Sequence, residues 1–244
     1  MKKGIYRIDC NEKLADEVYR MKLSGDMNGA VNPGQFVNIE LEGLYLRRPI
    51  SISDIEPGSL ILVYKVVGRG TAKMSTLKSG DKLDLLTGLG NGFDTSDCGA
   101  VPLVIGGGIG IPPLLLLTKR LISEGKHPRV ILGFNTKSEI FLEREFRALD
   151  IPVHITTTDG SYGIKGYVTN AMSQVEHFDY TFSCGPEVML KAVYDATETD
   201  GQFSFEERMG CGFGACMGCA CKTKYGSKRI CMEGPVLKKE EIIW

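Results

Sequence analysis

Five cysteines fall within 21 residues near the end of the chain: Cys211, Cys216, Cys219, Cys221 and Cys231. Thiols in that density bind metal more readily than they fill a core, although free cysteine is also among the most buried residue types. The first three ligand candidates follow C-x4-C-x2-C, and eleven residues separate Cys219 from Cys231. This is the order in which four thiolates hold the two irons of a plant-type [2Fe–2S] centre, with a shorter final gap. Zinc is the rival metal, but its sites usually pair cysteines in two short clips. Gly210, Gly212, Gly214 and Gly218 surround the thiols. They free the backbone to approach a cluster and turn N–H groups towards its sulfurs. Cys211, Cys216, Cys219 and Cys231 are therefore the expected ligands, and one-electron transfer the expected chemistry. Cys221, two residues from Cys219, is the spare thiol.

Four further segments could bind nucleotides. Residues 106–110 read Gly-Gly-Gly-Ile-Gly between an apolar run and Pro112-Pro113. A strand-to-helix turn of this kind cradles phosphate, though it lacks the G-x-G-x-x-G spacing and a tight turn would also use small residues. Arg47-Arg48-Pro49-Ile50-Ser51 offers a guanidinium fork for phosphate and a hydroxyl for a flavin ring. Gly68-Arg69-Gly70-Thr71 opens a helix, where amides and the helix dipole could meet a pyrophosphate or where Thr merely caps. Cys184-Gly185-Pro186 ends a strand of the later half, at an edge where such sheets bind ligands. The three histidines are scattered, no Ser/His/Asp order appears, and no side chain is assigned acid–base catalysis.

The elements that must position these residues change rhythm along the 244 residues. Up to about residue 97 short alternating runs, such as 35–40 and 60–67, are cut by Gly, Pro and Asp; this predicts an antiparallel barrel. A helix over 71–78 interrupts it. From residue 101 strands (101–105, 129–133, 153–157, 180–183) alternate with helices (112–125, 138–149, 187–196), which predicts a parallel sheet flanked by helices. After Phe205 the composition shifts to Gly and Cys. The expected fold is an α+β multidomain chain: barrel 1–97, α/β domain 98–204 and small cysteine module 205–244. A net charge of -1 gives no sign of a nucleic-acid or membrane partner. The start of the chain lacks a signal-peptide core, so a cytoplasmic location with reduced thiols is expected.

In this order, Arg-Pro-Ile-Ser, Gly-x-Gly-Thr, Gly-Gly-Gly-Ile-Gly, Cys-Gly-Pro and the cysteine tail make the chain resemble one family over nearly its whole length. That family is the electron-transfer subunits of NAD-linked bacterial dihydroorotate dehydrogenase, a branch of the ferredoxin-reductase-like flavoproteins. The tail is the most specific part of the resemblance, because ordinary ferredoxin reductases lack it. The resemblance implies FAD on the barrel, NAD on the α/β domain and [2Fe–2S] on the tail. It implies that Arg48, Pro49, Ile50, Ser51, Val63, Tyr64, Lys65, Gly70 and Thr71 meet FAD. Gly107, Gly108, Gly110, Cys184 and Gly185 would face NAD, and Cys211, Cys216, Cys219 and Cys231 would hold the irons. One departure stands out: the family often has Gly-Pro-Leu-Gly-Asn-Gly where this chain has Thr87-Gly88-Leu89-Gly90-Asn91-Gly92. Loss of the proline is expected to loosen the turn between the domains.

The implied partner is an FMN-containing dihydroorotate dehydrogenase catalytic subunit, in a heterotetramer with two copies of each chain. Electrons would pass from that partner through [2Fe–2S] and FAD to NAD+ in pyrimidine biosynthesis. The competing readings are the small FAD/[2Fe–2S] subunit of an electron-bifurcating transhydrogenase or sulfide dehydrogenase and, from another class, a zinc-binding scaffold. Some of the bifurcating relatives replace one cysteine ligand with aspartate, and the cysteine at 211 favours the dihydroorotate system.

Overall fold

The computed structural model describes residues 1–26 and 32–244. Six strands close the expected barrel: β1 (Lys2–Ala15), β2 (Val18–Ser24), β3 (Phe36–Ile39), β4 (Arg48–Glu56), β5 (Ser59–Lys65) and β6 (Lys82–Leu89). All neighbours pair antiparallel, in the order β1-β2-β5-β4-β3-β6. Period-two alternation turns Ile8, Leu23, Val37, Ile39, Leu62 and Leu85 into one core. Helix α1 (Arg69–Thr76) crosses out of the barrel two residues earlier than its expected start, with Met74 buried in that core.

The second unit is a seven-stranded sheet. Its strands β7 (Pro102–Gly107), β8 (Arg129–Phe134), β9 (Val153–Thr157), β10 (Ile164–Lys165), β11 (Tyr180–Cys184) and β12 (Gly201–Ser204) run parallel. The order is β10-β9-β8-β7-β11-β12, so the direction of winding reverses between β7 and β11. The flanking helices are α2 (Pro112–Ser123), α3 (Glu143–Arg147), α4 (Val168–Met172) and α5 (Glu187–Ala196). Pro at the first turn starts α2, and Gly125, at φ 76°, follows its end.

One expected helix is corrected. Residues 138–149 do not form a continuous helix: a single 3-10 turn, Lys137–Glu139, is followed by extended Ile140 and by Leu142 at φ 60° before α3 begins. The left-handed backbone at Leu142 breaks the helical path, and its side chain is buried instead.

The cysteine-rich tail forms a loop and a hairpin, β13 (Ala220–Thr223) with β14 (Gly226–Arg229). It then returns β15 (Val236–Lys238) antiparallel to β12, on the edge of the parallel sheet. The barrel and sheet dock through α2 against β4, where Lys119 pairs with Asp54, and through Arg20 to Glu145 at 3.0 Å. Among the described residues no helix is long and apolar enough to cross a membrane.

Candidate functional site

A cleft of roughly 1090 Å³ separates barrel, sheet and tail. Its barrel wall is the start of β4 and the end of β5. Arg48, Pro49, Ile50, Ser51, Val63, Tyr64 and Lys65 all line it, as do Gly70 and Thr71 of α1. Two of the sequence motifs meet here: a Cβ added to Gly70 would lie 2.0 Å from Arg48 Nε, so the guanidinium lies across the helix start only because residue 70 is glycine. The first turn of α1 contains no acidic residue, and its N–H groups have no intrahelical acceptor. Guanidinium and helix N-terminus thus offer one positive cradle to a pyrophosphate.

Two of the residues contribute differently from the simplest expectation. The Thr71 hydroxyl accepts from the N–H of Val67 at 2.9 Å and of Gly68 at 3.3 Å, so it shapes the turn. Tyr64 is buried, stacks on Tyr19 and donates its hydroxyl to Asn11 Oδ1 at 3.0 Å. Burial pushes its phenol up to about 12, outweighing that bond, so it stays neutral.

The opposite wall is the point where the sheet reverses its winding, at the carboxyl ends of β7 and β11. Gly107, Gly110, Cys184 and Gly185 line the cleft. A Cβ on Gly110 would sit 2.5 Å from the Cys184 carbonyl, so the glycine turn and the end of β11 touch backbone to backbone. Gly108, at φ 50°, is in the same turn but is not among the lining residues. The Cys184 thiol is pushed up to about 12 by burial, against a hydrogen bond with Ser204. It remains an uncharged neighbour for any ring placed there.

The tail supplies the third wall. Phe205, Glu206, Glu207, Arg208 and Met209, joining β12 to the first cysteine, also line the cleft, as do Phe36 and Tyr45. None of these was singled out from the sequence. The linker could have been, since a segment joining a ligand-binding strand edge to a metal loop must pass between the two.

The four expected ligand thiols come together in two pairs. The Cys211 N–H donates to Cys216 Sγ at 3.4 Å, and the Cys216 N–H returns to Cys211 Sγ at 3.4 Å. The Cys231 N–H donates to Cys219 Sγ at 3.4 Å. Further N–H groups reach the sulfurs: Ala215 to Cys211 at 3.2 Å and Gly214 to Cys231 at 3.1 Å. Gly212 and Gly214, at φ 77° and 91°, provide the left-handed turns that aim them. Cys221 lies in β13 opposite Lys228, outside both pairs.

Among the described residues no three His, Cys, Asp or Glu side chains are grouped as they would be around one metal ion. Two thiol pairs fringed by N–H donors instead suit a centre with two metals and bridging sulfides. The thiols differ in proton affinity. Burial raises Cys211, but the N–H groups of Phe213, Cys216 and Ala215 and the Cys216 thiol bring it down to about 6. Burial and the Cys219 thiol push Cys231 up to about 12.

The tail is clamped to the barrel. The Asn91 N–H donates to the Gly234 carbonyl at 2.6 Å, and its side chain bonds Glu233 O at 3.1 Å and both backbone atoms of Val236, at 2.8 Å and 3.2 Å. A Cβ on Gly90 would lie 2.7 Å from Pro235. The loosened turn expected from Thr87-Gly88 is therefore not seen: Leu89 is buried and the turn grips the tail. Arg229 ties the loop to itself, donating to Gly214 O at 2.7 Å while pairing with Glu233.

Comparison with known proteins agrees with this architecture. Residues 206–243 match the iron-sulfur cluster binding domain of dihydroorotate dehydrogenase B. The dihydroorotate dehydrogenase B (NAD(+)) electron transfer subunit of Bacillus pumilus is 42% identical, over 99% of this chain and 98% of its own. That of Fusobacterium nucleatum is 40% identical over 96% of each chain. The solved NADH-dependent reduced ferredoxin-NADP oxidoreductase, a flavin-based electron bifurcation system, superposes with TM-score 0.90 at 30% identity, over 98% of this chain and 90% of that one. Phthalate dioxygenase reductase shares the fold, with TM-score 0.67 at 16% identity over 90% and 86%. Identity at this level, sustained from the barrel through the cysteine loop, means that the chain belongs to the dihydroorotate dehydrogenase B electron transfer subunits.

Proposed function

We propose that the chain relays electrons from an FMN-bearing dihydroorotate dehydrogenase subunit to NAD+. It would do so through a [2Fe–2S] centre on Cys211, Cys216, Cys219 and Cys231 and FAD in the cleft. The work divides among 1–97 for FAD, 98–204 for NAD and 205–244 for the cluster. When bound, a flavin trades single electrons with an iron–sulfur centre and hydride with a nicotinamide, which is the conversion this route requires. Arg48 and the start of α1 neutralise the pyrophosphate, while Pro49, Ile50, Ser51 and the β5 segment Val63-Tyr64-Lys65 flank the ring. Gly107, Gly108 and Gly110 keep the turn low, and Cys184 with Gly185 gives the nicotinamide a flat, uncharged seat.

The observation that carries this reading is a shared wall. Phe36 lines the cleft and belongs to the same apolar cluster as Cys219 and Cys231, so the flavin and cluster sites share an apolar wall. Around the exposed Cys216, Phe213, Met217 and Met232 are also exposed and offer the partner an apolar face. Relatives named as electron transfer subunits imply a separate catalytic partner, and in this reading dihydroorotate oxidation belongs to that partner, in a cytoplasmic heterotetramer with two copies of each chain. Native co-purification tests this. The complex should carry flavin and iron–sulfur bands and reduce NAD+ with dihydroorotate, whereas the isolated chain should not. A colourless protein with stoichiometric zinc, or a lone chain that oxidises dihydroorotate, overturns the reading.

The 30% identity to the bifurcating oxidoreductase favours one alternative, a small subunit of an electron-bifurcating transhydrogenase. Reduction of NADP+ by reduced ferredoxin and NADH together, with no response to dihydroorotate, would select it.

A further inference from the structure

Strand β3 carries a buried amide that neither the barrel core nor the cleft uses. Its Val37 and Ile39 point into the barrel core, and Phe36 packs outside with the cluster thiols. Alternation puts Asn38 on the Phe36 side, beneath the tail, where it is 1% exposed. Asn38 Nδ2 donates to the Cys211 carbonyl at 3.0 Å. A carbonyl only accepts, so the amide's orientation follows from chemistry.

Gly212 completes the contact from the other side. At φ 77° it lets the loop descend until an added Cβ would lie 2.3 Å from Asn38 Nδ2. Behind Asn38 the register partner on β4 is Pro49, and Arg47 donates to the Asn38 carbonyl at 3.3 Å. One residue thus joins the strand pair bearing the Arg-Pro-Ile-Ser motif to the first ligand cysteine. Asn38 Oδ1 is buried without a partner among the described residues. An amide half unsatisfied costs stability relative to an apolar residue of the same size, so packing alone does not account for it.

We propose that Asn38 is a positioning residue that locks the Cys211 end of the cluster loop to the flavin barrel and thereby fixes the spacing between the two redox centres. The proposal rests on the FAD and [2Fe–2S] reading above. It acts on the cluster through the Cys211 backbone, as residues just beyond metal ligands commonly do.

Anaerobically purified holoprotein tests it, with Asn38→Leu (similar volume, no donor) and Asn38→Asp (similar shape, no donor, added charge). Both variants should keep FAD and the wild-type rate of flavin bleaching by NADH. Both should lose iron to a chelator about 10-fold faster, the scale on which partners of metal ligands act. The electron paramagnetic resonance g-values of the reduced cluster should shift, and flavin-to-cluster transfer in stopped flow should slow. Wild-type iron retention, g-values and transfer rate in Asn38→Leu overturn the proposal; if that variant does not fold, the same result in Asn38→Asp does so. Loss of FAD together with iron in both variants also overturns it, assigning Asn38 to barrel folding. A wild-type protein with neither iron nor flavin brings down the functional reading itself, a result visible before any variant is made.

Discussion

Cys211 and Cys231 belong to one ligand set yet hold their protons in opposite ways. Cys211 is bathed in N–H donors and falls to about 6, whereas buried Cys231 rises to about 12. In metal-free protein, iodoacetamide should therefore label Cys211 at a rate that rises as pH passes upward through about 6, while Cys231 stays unlabelled at neutral pH. Peptide mass spectrometry reads both, and equal labelling of the two at pH 7 would contradict the geometry. The linked stability has a definite sign. A thiol depressed on folding contributes at pH above its unfolded value, and the contribution is lost as pH falls through about 6. The thiols and their spacing were legible in the sequence because ligand chemistry is local. Asn38 and Phe36 were not, because a strand's outward positions acquire meaning only from what covers them.

At the level of elements, the turn after β6 does more than join two domains. The Asn91 side chain makes three hydrogen bonds to the backbone around Glu233 and Val236. Asn91→Ala should remove them and leave partly buried carbonyls unpaired, costing about 1–3 kcal/mol. The expected signs are a lower melting temperature and faster proteolysis of the tail, with the barrel remaining resistant; an unchanged melting curve would argue against the clamp. The sequence indicated the barrel and the alternating sheet, whose strands carry their own periodicity. It overextended the helix at 138–149, since nothing local announces a left-handed Leu142. It also missed β12 and β15, which are four and three residues long and stabilised by each other rather than by pattern.

Across the whole molecule, independence of the modules can be judged from their cores. The barrel core draws only on residues from Tyr6 to Leu85, with Leu116 packed against it, and uses nothing from the tail. Cys219, by contrast, is buried with Phe36, Leu86 and Phe203. Cys219→Ser should therefore abolish the cluster while FAD and NADH-to-dye activity persist, as read by iron content and the flavin spectrum. Loss of flavin along with iron would show that the modules depend on each other.

The tail leaves the sheet at β12, before the hairpin, and returns to it as β15, after the hairpin, so it is anchored at both ends. A cluster carried on such a bracket cannot swing between donor and acceptor, so electrons must leave it from a fixed place and the partner has to come to that place. Amputating the bracket is equally unclean. It would bare the ladder edge of β12, and an uncovered edge invites sheet-to-sheet sticking between copies, so a shortened chain should precipitate rather than survive as a plain flavoprotein.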